Sequence, residues 1–481
     1  MRPIGFTLPL ALLSGCASRG AMTFDCKLDG QMAFAYVAPK SQLVRDIEND
    51  RGGAEKQLMP FAGPLDAALD GLFVESPKEL GGTSPKNILL LSGGGQWGAY
   101  GAGFLQWLGR ERADSKPNPL PHFDIVTGIS TGALQAVFMG ALDTPHGVRT
   151  RPLDALAVGY APTSEKDVVE RGHLLSAVFS GSVAGLKPLR ARIEQALCPS
   201  PYAEDHPCPA IEALGTSDTK TFVGFVDAET GQFLISSINE IAKFAKKSTS
   251  PTVPPGQLRL NWRQARDCLT GVTIASSAVP VFYQQVRIDG TIKSDGTVIP
   301  PGPRTMYDGG VRHSVFEVDI ADRLDAAGRR AAGPGKAPPS RQPALYVLRN
   351  GPTKALPETK VQTSAGALTA AQRGYSLLVN QSEVASIEAL RLVRPTGPIY
   401  FTTADGYDRP NLSDPAPPPP SSPATDPWQR PTQSTANGCI KPTNGEMFDP
   451  EFMRCLQAFG RNKAKREKPW SALSPIAKTA K

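Results

Sequence analysis

Short apolar runs alternate with segments of helical pattern in the middle of this sequence. The runs at 87–91 and 123–126 are too short for helices and predict buried strands. Each run is followed by a turn rich in glycine and then by a helical pattern, over 104–108 and 133–142 respectively. The order of strand, glycine-rich turn and helix thus occurs twice in this part of the sequence.

Ser130 lies between the second of these strands and its helix, in the sequence Gly128-Ile129-Ser130-Thr131-Gly132. A G-x-S-x-G motif at a strand-to-helix turn is typical of a nucleophile elbow, because the glycines allow a sharp turn that exposes the serine hydroxyl. The motif by itself has low specificity, since the chain contains 46 glycines, and an ordinary turn is the alternative. The strand–turn–helix context favours Ser130 as a nucleophile.

The first strand leads into a second glycine-rich turn, Gly93-Gly94-Gly95-Gln96-Trp97-Gly98. The N–H groups of such a loop can bind a phosphate or a developing oxyanion. The Lys-Ser/Thr pair of a P-loop is missing, but the pattern G-x-G-x-x-G is present. A dinucleotide-binding fold is therefore an alternative to an oxyanion hole. The acidic residue that it requires, Asp114, lies in a polar loop rather than after a second strand. A nucleophile elbow about 35 residues later therefore favours an oxyanion hole.

A third candidate segment is Tyr307-Asp308-Gly309-Gly310, which follows the small-residue stretch 275–280. In isolation Asp-Gly-Gly is typical of a hairpin turn, which is how we interpret Asp289-Gly290 and Asp295-Gly296.

Taken together, these segments resemble the patatin-like phospholipase family over about 85–348, extending towards 405. The segments 93–98, 128–132 and 308–309 resemble its oxyanion loop, nucleophile elbow and catalytic aspartate, and 225–231 and 275–280 are similar to further family stretches. The resemblance implies a three-layer α/β/α patatin-like fold with a mainly parallel central sheet, plus an N-terminal arm and a Pro-rich C-terminal extension. The sequence departs from the family at Trp97, where Arg or Lys is frequent.

The chemistry that the resemblance implies is a Ser–Asp dyad. Asp308 would accept the Ser130 proton during attack and return it to the leaving alcohol. The N–H groups of Gly93, Gly94 and Gly95 would hold the oxyanion. Because a carboxylate with a pKa near ~4 is a weak base, the two side chains must be closely hydrogen-bonded and partly desolvated.

The alternative base is His313, five residues after Asp308, since catalytic triads vary in their order along the chain. We expect His313 instead to begin the next element. Neither H-x-x-x-H nor paired C-x-x-C spacing occurs, so neither a metal nor another cofactor is expected.

The N-terminus resembles a bacterial lipoprotein signal, with Arg2 before the apolar run 4–12 and Leu13-Ser14-Gly15-Cys16 as the lipidation box. Cleavage would remove the signal peptide 1–15, and acyl chains on Cys16 would anchor the protein to a membrane. Ala17 follows the cysteine, and the resemblance to diderm lipoproteins then implies the outer membrane, facing the periplasm. The alternative is a cleaved secretory peptide or a wrongly assigned start, with Cys16 incidental.

The other six of the seven cysteines permit three disulfides in an oxidising compartment, and free buried thiols are the alternative. The pairs that we expect are Cys198–Cys208, Cys439–Cys455 and, by elimination, Cys26–Cys268.

The length of 481 residues and an apolar content of 40% fit one main domain with appendages. The boundaries that we expect are an N-terminal arm at 16–84, a catalytic domain at 85–405, a Pro-rich linker at 406–433 and a small C-terminal segment at 434–481. Within the catalytic domain, 161–185 is a lid candidate, a helix is expected over 368–392 and a strand over 398–401.

The net charge of +7 is spread along the chain apart from a basic tail, which consists of 461–468 and the final lysines. Such a tail either attracts an anionic membrane or is a disordered solubilising segment. Basic-aromatic patches typical of nucleic-acid binding do not occur, so nucleic acid is not an expected partner.

The function that these features predict is a serine acyl-ester hydrolase. The resemblance to the patatin-like family implies membrane phospholipids or lysophospholipids at the bacterial envelope as its substrates. A soluble-ester carboxylesterase is nearly as compatible with the same residues. The alternative from another class is a non-catalytic envelope lipoprotein that uses the fold as a binding module.

Overall fold

The computed structural model describes 20–28, 32–38, 63–74, 86–113, 120–142, 150–172, 182–198, 208–246, 255–294, 297–336, 339, 342–355, 366–394, 397–410, 438–440 and 446–473. Five expectations lie wholly or mostly outside these residues. They concern the signal peptide 1–15, the lipidation of Cys16, the turn at Asp295-Gly296, the centre of the lid candidate at 173–181, and most of the Pro-rich linker.

The described chain contains short strands and mostly longer helices. The strands are β1 (Met22–Cys26), β2 (Ala35–Val37), β3 (Asn87–Leu91), β4 (Ile125–Ile129), β5 (Glu170–Arg171), β6 (Ala184–Gly185), β7 (Lys220–Asp227), β8 (Phe233–Ser237), β9 (Val286–Ser294), β10 (Thr297–Asp308), β11 (Ala344–Leu348), β12 (Ile399–Thr402) and β13 (Ser471–Ala472). The helices are α1 (Pro64–Gly71), α2 (Gly98–Ala113), α3 (Thr131–Gly140), α4 (Thr150–Gly159), α5 (Lys187–Leu197), α6 (Pro209–Thr216), α7 (Ile238–Lys246), α8 (Pro255–Ala275), α9 (Glu317–Ala332), α10 (Ala367–Val393) and α11 (Pro450–Ala464).

Eleven of the strands form one sheet in the order β1-β9-β2-β8-β7-β4-β3-β11-β12-β13, with β10 paired to β7 and β9. The neighbours from β7 to β12 are parallel. Antiparallel pairing occurs where β8 and β10 join β7 and where β13 joins β12. The expected mainly parallel sheet is thus parallel at its centre and mixed as a whole, because antiparallel strands are added on both sides.

The central strands are apolar on both faces because helices cover both faces. In β3, Ile88 and Leu90 pack in a core cluster with residues of α1, α9 and α10. The alternate residues Leu89 and Leu91 pack in a second cluster with α2 and α11. This alternation explains why 87–91 reads as a continuous apolar run in the sequence.

The N-terminal arm differs from its expected role as an appendage. Its strands β1 and β2 both pair with β9, and α1 packs in the same core cluster as Ile88 and Leu90. The disulfide Cys26–Cys268 ties β1 to α8. Short, isolated strands of this kind give too weak a periodic signal to be predicted from sequence.

The C-terminal segment also packs directly on the main domain. Helix α11 lies so close to α2 that a Cβ added at Gly103 would be 2.1 Å from the carbonyl oxygen of Gln457, and the disulfide Cys439–Cys455 holds the start of this segment. The ammonium groups of Lys463 and Lys465 lie over aromatic rings of α2. This part of the basic tail is therefore packed on the fold rather than disordered, in contrast to one of the two expectations.

The parallel strands end at one edge of the sheet, and this edge carries the candidate site. Leu91 of β3 lies opposite Gly128 of β4 and opposite Leu348 of β11. Ser92, Ser130 and Arg349 therefore emerge close together at the carboxyl ends of their strands, where ligands bind in open α/β sheets.

Candidate active site

Ser130 occupies a sharp turn between β4 and α3. Its φ of 54° and ψ of −125° place it in a region that residues other than glycine rarely adopt. The flanking glycines make the turn possible, because a Cβ at Gly128 would lie 2.1 Å from the carbonyl oxygen of Gly132. A Cβ at Gly132 would lie 2.4 Å from the carbonyl oxygen of Leu91. This geometry is that of a nucleophile elbow.

The turn is held by Ser276, which follows the end of α8. The Ser130 N–H donates to Ser276 Oγ at 2.8 Å, and that hydroxyl donates to the carbonyl oxygen of Gly224 in β7 at 2.6 Å. The sequence marks 275–280 only as a stretch similar to the family, so this role of Ser276 was not predicted. A small polar residue within an apolar helix end was the available signal.

Asp308 is brought to Ser130 by the pairing of β10 with β7, in which Asp308 lies opposite Phe225. Its carboxylate accepts a hydrogen bond from the Ser130 hydroxyl and another, at 2.6 Å, from the Gly310 N–H. Burial raises the pKa of Asp308 to about 7, although both hydrogen bonds oppose the shift. The close approach requires glycine at 309, because a Cβ there would be 2.6 Å from the Gly224 carbonyl oxygen.

The glycine-rich loop lies beside the nucleophile. Gly93 is so close that a Cβ there would be 3.3 Å from Ser130 Cβ. Gly94 and Gly95 have φ values of 140° and 55°, which favour glycine. The Gly93 N–H donates to the Ser314 carbonyl oxygen at 3.3 Å, whereas no acceptor for the Gly94 or Gly95 N–H occurs within the described ranges. Of the three N–H groups expected to bind an oxyanion, the one on Gly93 thus already has a backbone acceptor.

A buried amide network fixes this loop. Asn350, just after β11, donates through Nδ2 to the Ser92 carbonyl oxygen at 2.8 Å and to Gln135 Oε1 at 2.9 Å, and its own N–H donates to Ser92 Oγ. Gln135 in turn donates to the Gly98 carbonyl oxygen at 2.9 Å. Neither amide was predicted, since single polar residues at strand ends and in apolar helices carry no motif.

A buried ion pair lies behind the loop. Arg349 Nε is 2.9 Å from Glu383 Oε2, and the two side chains are 2% and 4% exposed. Burial raises the pKa of Glu383 to about 7, against the lowering effect of Arg349. Glu383 Oε1 is 3.8 Å from the position of a Cβ on Gly93, so the pair supports the loop next to Ser130. Glu383 is in α10, where the helical pattern alone did not distinguish it.

The structure also locates His313, the pair Cys198–Cys208 and Trp97. The ring of His313 packs edge-on against Phe233 at 4.9 Å between centroids, and its backbone N–H donates to the Gly309 carbonyl oxygen. The expected pair Cys198–Cys208 is also bonded. Trp97 contacts the rings of Tyr407 and Phe452 at 4.8 and 5.1 Å, so this departure from the family joins the loop to the C-terminal segment.

The described part of the chain contains no cluster of three His, Cys, Asp or Glu side chains placed to hold a metal ion. None of its described helices has the length and apolar character needed to span a membrane.

Residues 89–322 match the family model described as patatin-like phospholipase. Over these residues the chain is similar to patatin-like phospholipases, and this similarity supports a lipid acyl hydrolase. Among solved structures, VipD from Legionella pneumophila is similar at 12% identity with a TM-score of 0.24, over 82% of this chain and 68% of VipD. No curated protein matches the sequence.

Proposed function

We propose that this protein hydrolyses acyl esters of membrane phospholipids or lysophospholipids, with Ser130 as nucleophile and Asp308 as base. The observation that carries this proposal is the hydrogen bond from the Ser130 hydroxyl to the buried Asp308 carboxylate, at the tip of the elbow. A carboxylate with a pKa of about 7 is a stronger base than an ordinary one and remains substantially ionised at neutral pH.

The reaction proceeds through an acyl-enzyme. Ser130 Oγ attacks the ester carbonyl carbon while its proton moves to Asp308. The oxyanion that forms accepts hydrogen bonds from the N–H groups of Gly94 and Gly95. Asp308 then protonates the leaving alcohol oxygen. In the second half of the reaction, water attacks the acyl carbon and gives a proton to Asp308. Asp308 then returns this proton to Ser130 as the fatty acid leaves.

For Gly93 we propose a role other than that of the expected oxyanion donor. Its N–H is bonded to the Ser314 carbonyl oxygen. Because glycine has no side chain, the loop can lie against Ser130 at this position. The Asn350 network and the Arg349–Glu383 pair hold the following two N–H groups in place, so that little reorganisation is needed during reaction.

The cellular site that we propose is the bacterial outer membrane, facing the periplasm, with the chain anchored through acyl groups on Cys16. The lipidation box in the sequence supports this location. Three disulfides support it further, because such bonds persist in oxidising compartments.

The test measures fatty-acid release from mixed phospholipid and lysophospholipid vesicles, together with labelling by a fluorophosphonate. Ser130→Ala should abolish both signals, whereas Ser277→Ala, which removes only a hydroxyl bonded to the Thr273 carbonyl oxygen, should retain both. Labelling with release only from short-chain esters would instead indicate a soluble-ester carboxylesterase. Folded native protein that is not labelled would indicate a binding module.

A further inference from the structure

Helix α10 lies outside the segment 89–322 that matches the family, yet it brings a tyrosine hydroxyl to the candidate site. A Cβ added at Gly310 would be 3.0 Å from Asp308 Oδ1 and 3.6 Å from Tyr375 Oη. The two oxygens thus flank one small region beside the loop that follows Asp308. The Tyr375 ring is 6.0 Å from that of Phe282, so the phenol forms part of an aromatic wall at the same place.

The Tyr375 hydroxyl is a hydrogen-bond donor throughout the neutral range. Burial raises its pKa, and the neighbouring Asp308 carboxylate raises it further. The phenol therefore keeps its proton next to an ionised base. It can donate this proton in a hydrogen bond without transferring it.

We propose that Tyr375 Oη donates a hydrogen bond to the leaving-group oxygen of the ester, and this inference rests on the proposed function. The leaving oxygen must approach Asp308 to receive the proton taken from Ser130. That position brings it next to Tyr375, whereas the carbonyl oxygen faces Gly94 and Gly95. As the ester C–O bond breaks, its electron pair goes to the leaving oxygen, Asp308 supplies the proton, and Tyr375 stabilises the charge that develops.

The experiment compares two substrates that give the same lauroyl-enzyme, namely 1-lauroyl-lysophosphatidylcholine and p-nitrophenyl laurate. The kcat/KM value reports the steps up to formation of that common intermediate, so the leaving group is the main difference in chemistry. A glycerol alkoxide is a poor leaving group and needs the hydrogen bond, whereas nitrophenolate leaves without help. Tyr375→Phe should lower kcat/KM about tenfold on the lysophospholipid and less than about twofold on the nitrophenyl ester.

Tyr346→Phe is the matched control, because the Tyr346 ring, in β11, packs against the rings of Phe123, Tyr400 and Trp470. It should leave both kcat/KM values unchanged. An equal loss on the two substrates in Tyr375→Phe would show a merely structural role and overturn the inference, as would no loss on either. Fluorophosphonate labelling of Ser130 is measured on the same samples. If the native protein is not labelled, the proposed function itself fails, which distinguishes the two failures.

Discussion

The backbone N–H of Ser130 donates a hydrogen bond to the hydroxyl oxygen of Ser276, with 2.8 Å between the two atoms. The same hydroxyl donates to the Gly224 carbonyl oxygen, so one small side chain links the elbow to β7. A left-handed φ at a residue other than glycine costs of order 1–3 kcal/mol and persists only when its surroundings hold it. Ser276 is fully buried and supplies part of that constraint.

Ser276→Ala should therefore lower both activity and stability. The Ser130 N–H and the Gly224 carbonyl would lose their shared partner, and we expect the free energy of unfolding to fall by about 1–3 kcal/mol. The less constrained nucleophile should lower kcat about tenfold. Urea unfolding and vesicle hydrolysis measure the two effects. Ser277→Ala, one residue further on, should change neither appreciably, and an unchanged kcat in Ser276→Ala would show that the elbow is held without it.

The raised pKa of Asp308 predicts the pH dependence of the reaction. The base must be ionised to accept the Ser130 proton, and burial moves its pKa from the usual range to about 7. The kcat/KM for an uncharged ester should thus increase with pH, reaching half its maximum near pH 7. A profile that is already flat from pH 5 upwards would contradict Asp308 as the base.

The same shift predicts that Asp308 lowers stability at neutral pH. The unfolded carboxyl loses its proton near pH ~4 and the folded one near 7, so increasing pH between these values favours unfolding. Asp308→Asn should be more stable than the native protein by roughly 3–4 kcal/mol at pH 8, and by less than half of that at pH 5. Urea unfolding at the two pH values measures this difference. Asp70→Asn, in an exposed pair with Arg330, should change stability by less than about 1 kcal/mol.

The parts of the fold that the sequence predicted well are those with a strong local pattern. The run at 87–91 is β3, the run at 123–126 overlaps the start of β4 (Ile125–Ile129), and the helix expected over 368–392 is α10. Strands β1 and β2 were not predicted, because their identity depends on pairing with β9, which lies more than 240 residues away in sequence. Such pairings leave little trace in local periodicity.

In the candidate site, too, the sequence predicted the residues that lie in local motifs and missed those whose role depends on distant contacts. Ser130, Asp308 and the glycine-rich loop were predicted because each lies in a recognisable motif with a backbone requirement. Ser276, Asn350 and Glu383 were not, because each is a single polar residue whose role exists only after strands and helices converge. The engaged N–H of Gly93 also depends on a distant acceptor, the Ser314 carbonyl, which no motif specifies.

Glu383→Gln should be strongly destabilising, because it leaves the charge of Arg349 buried without its counter-ion. The pair is 2% and 4% exposed, and breaking such a pair costs about 3–5 kcal/mol. Replacing both members, as Arg349→Met with Glu383→Gln, should recover at least half of the loss. Glu388→Gln is the matched control on the same helix, since Glu388 pairs with Arg391 at the surface and should contribute less than about 1 kcal/mol. A double variant as unstable as Glu383→Gln would contradict this account.

The disulfides should differ in their contribution to stability according to the length of chain that each closes. Cys26–Cys268 spans 242 residues and Cys198–Cys208 spans 10. The loss of chain entropy in the unfolded state predicts a stabilisation of about 5 kcal/mol for the first and about 3 for the second. Replacing each pair by alanines, which matches the buried volume removed, and measuring urea unfolding tests this difference. Equal losses would indicate that the folded packing around β1 and α8, rather than loop closure, determines the effect.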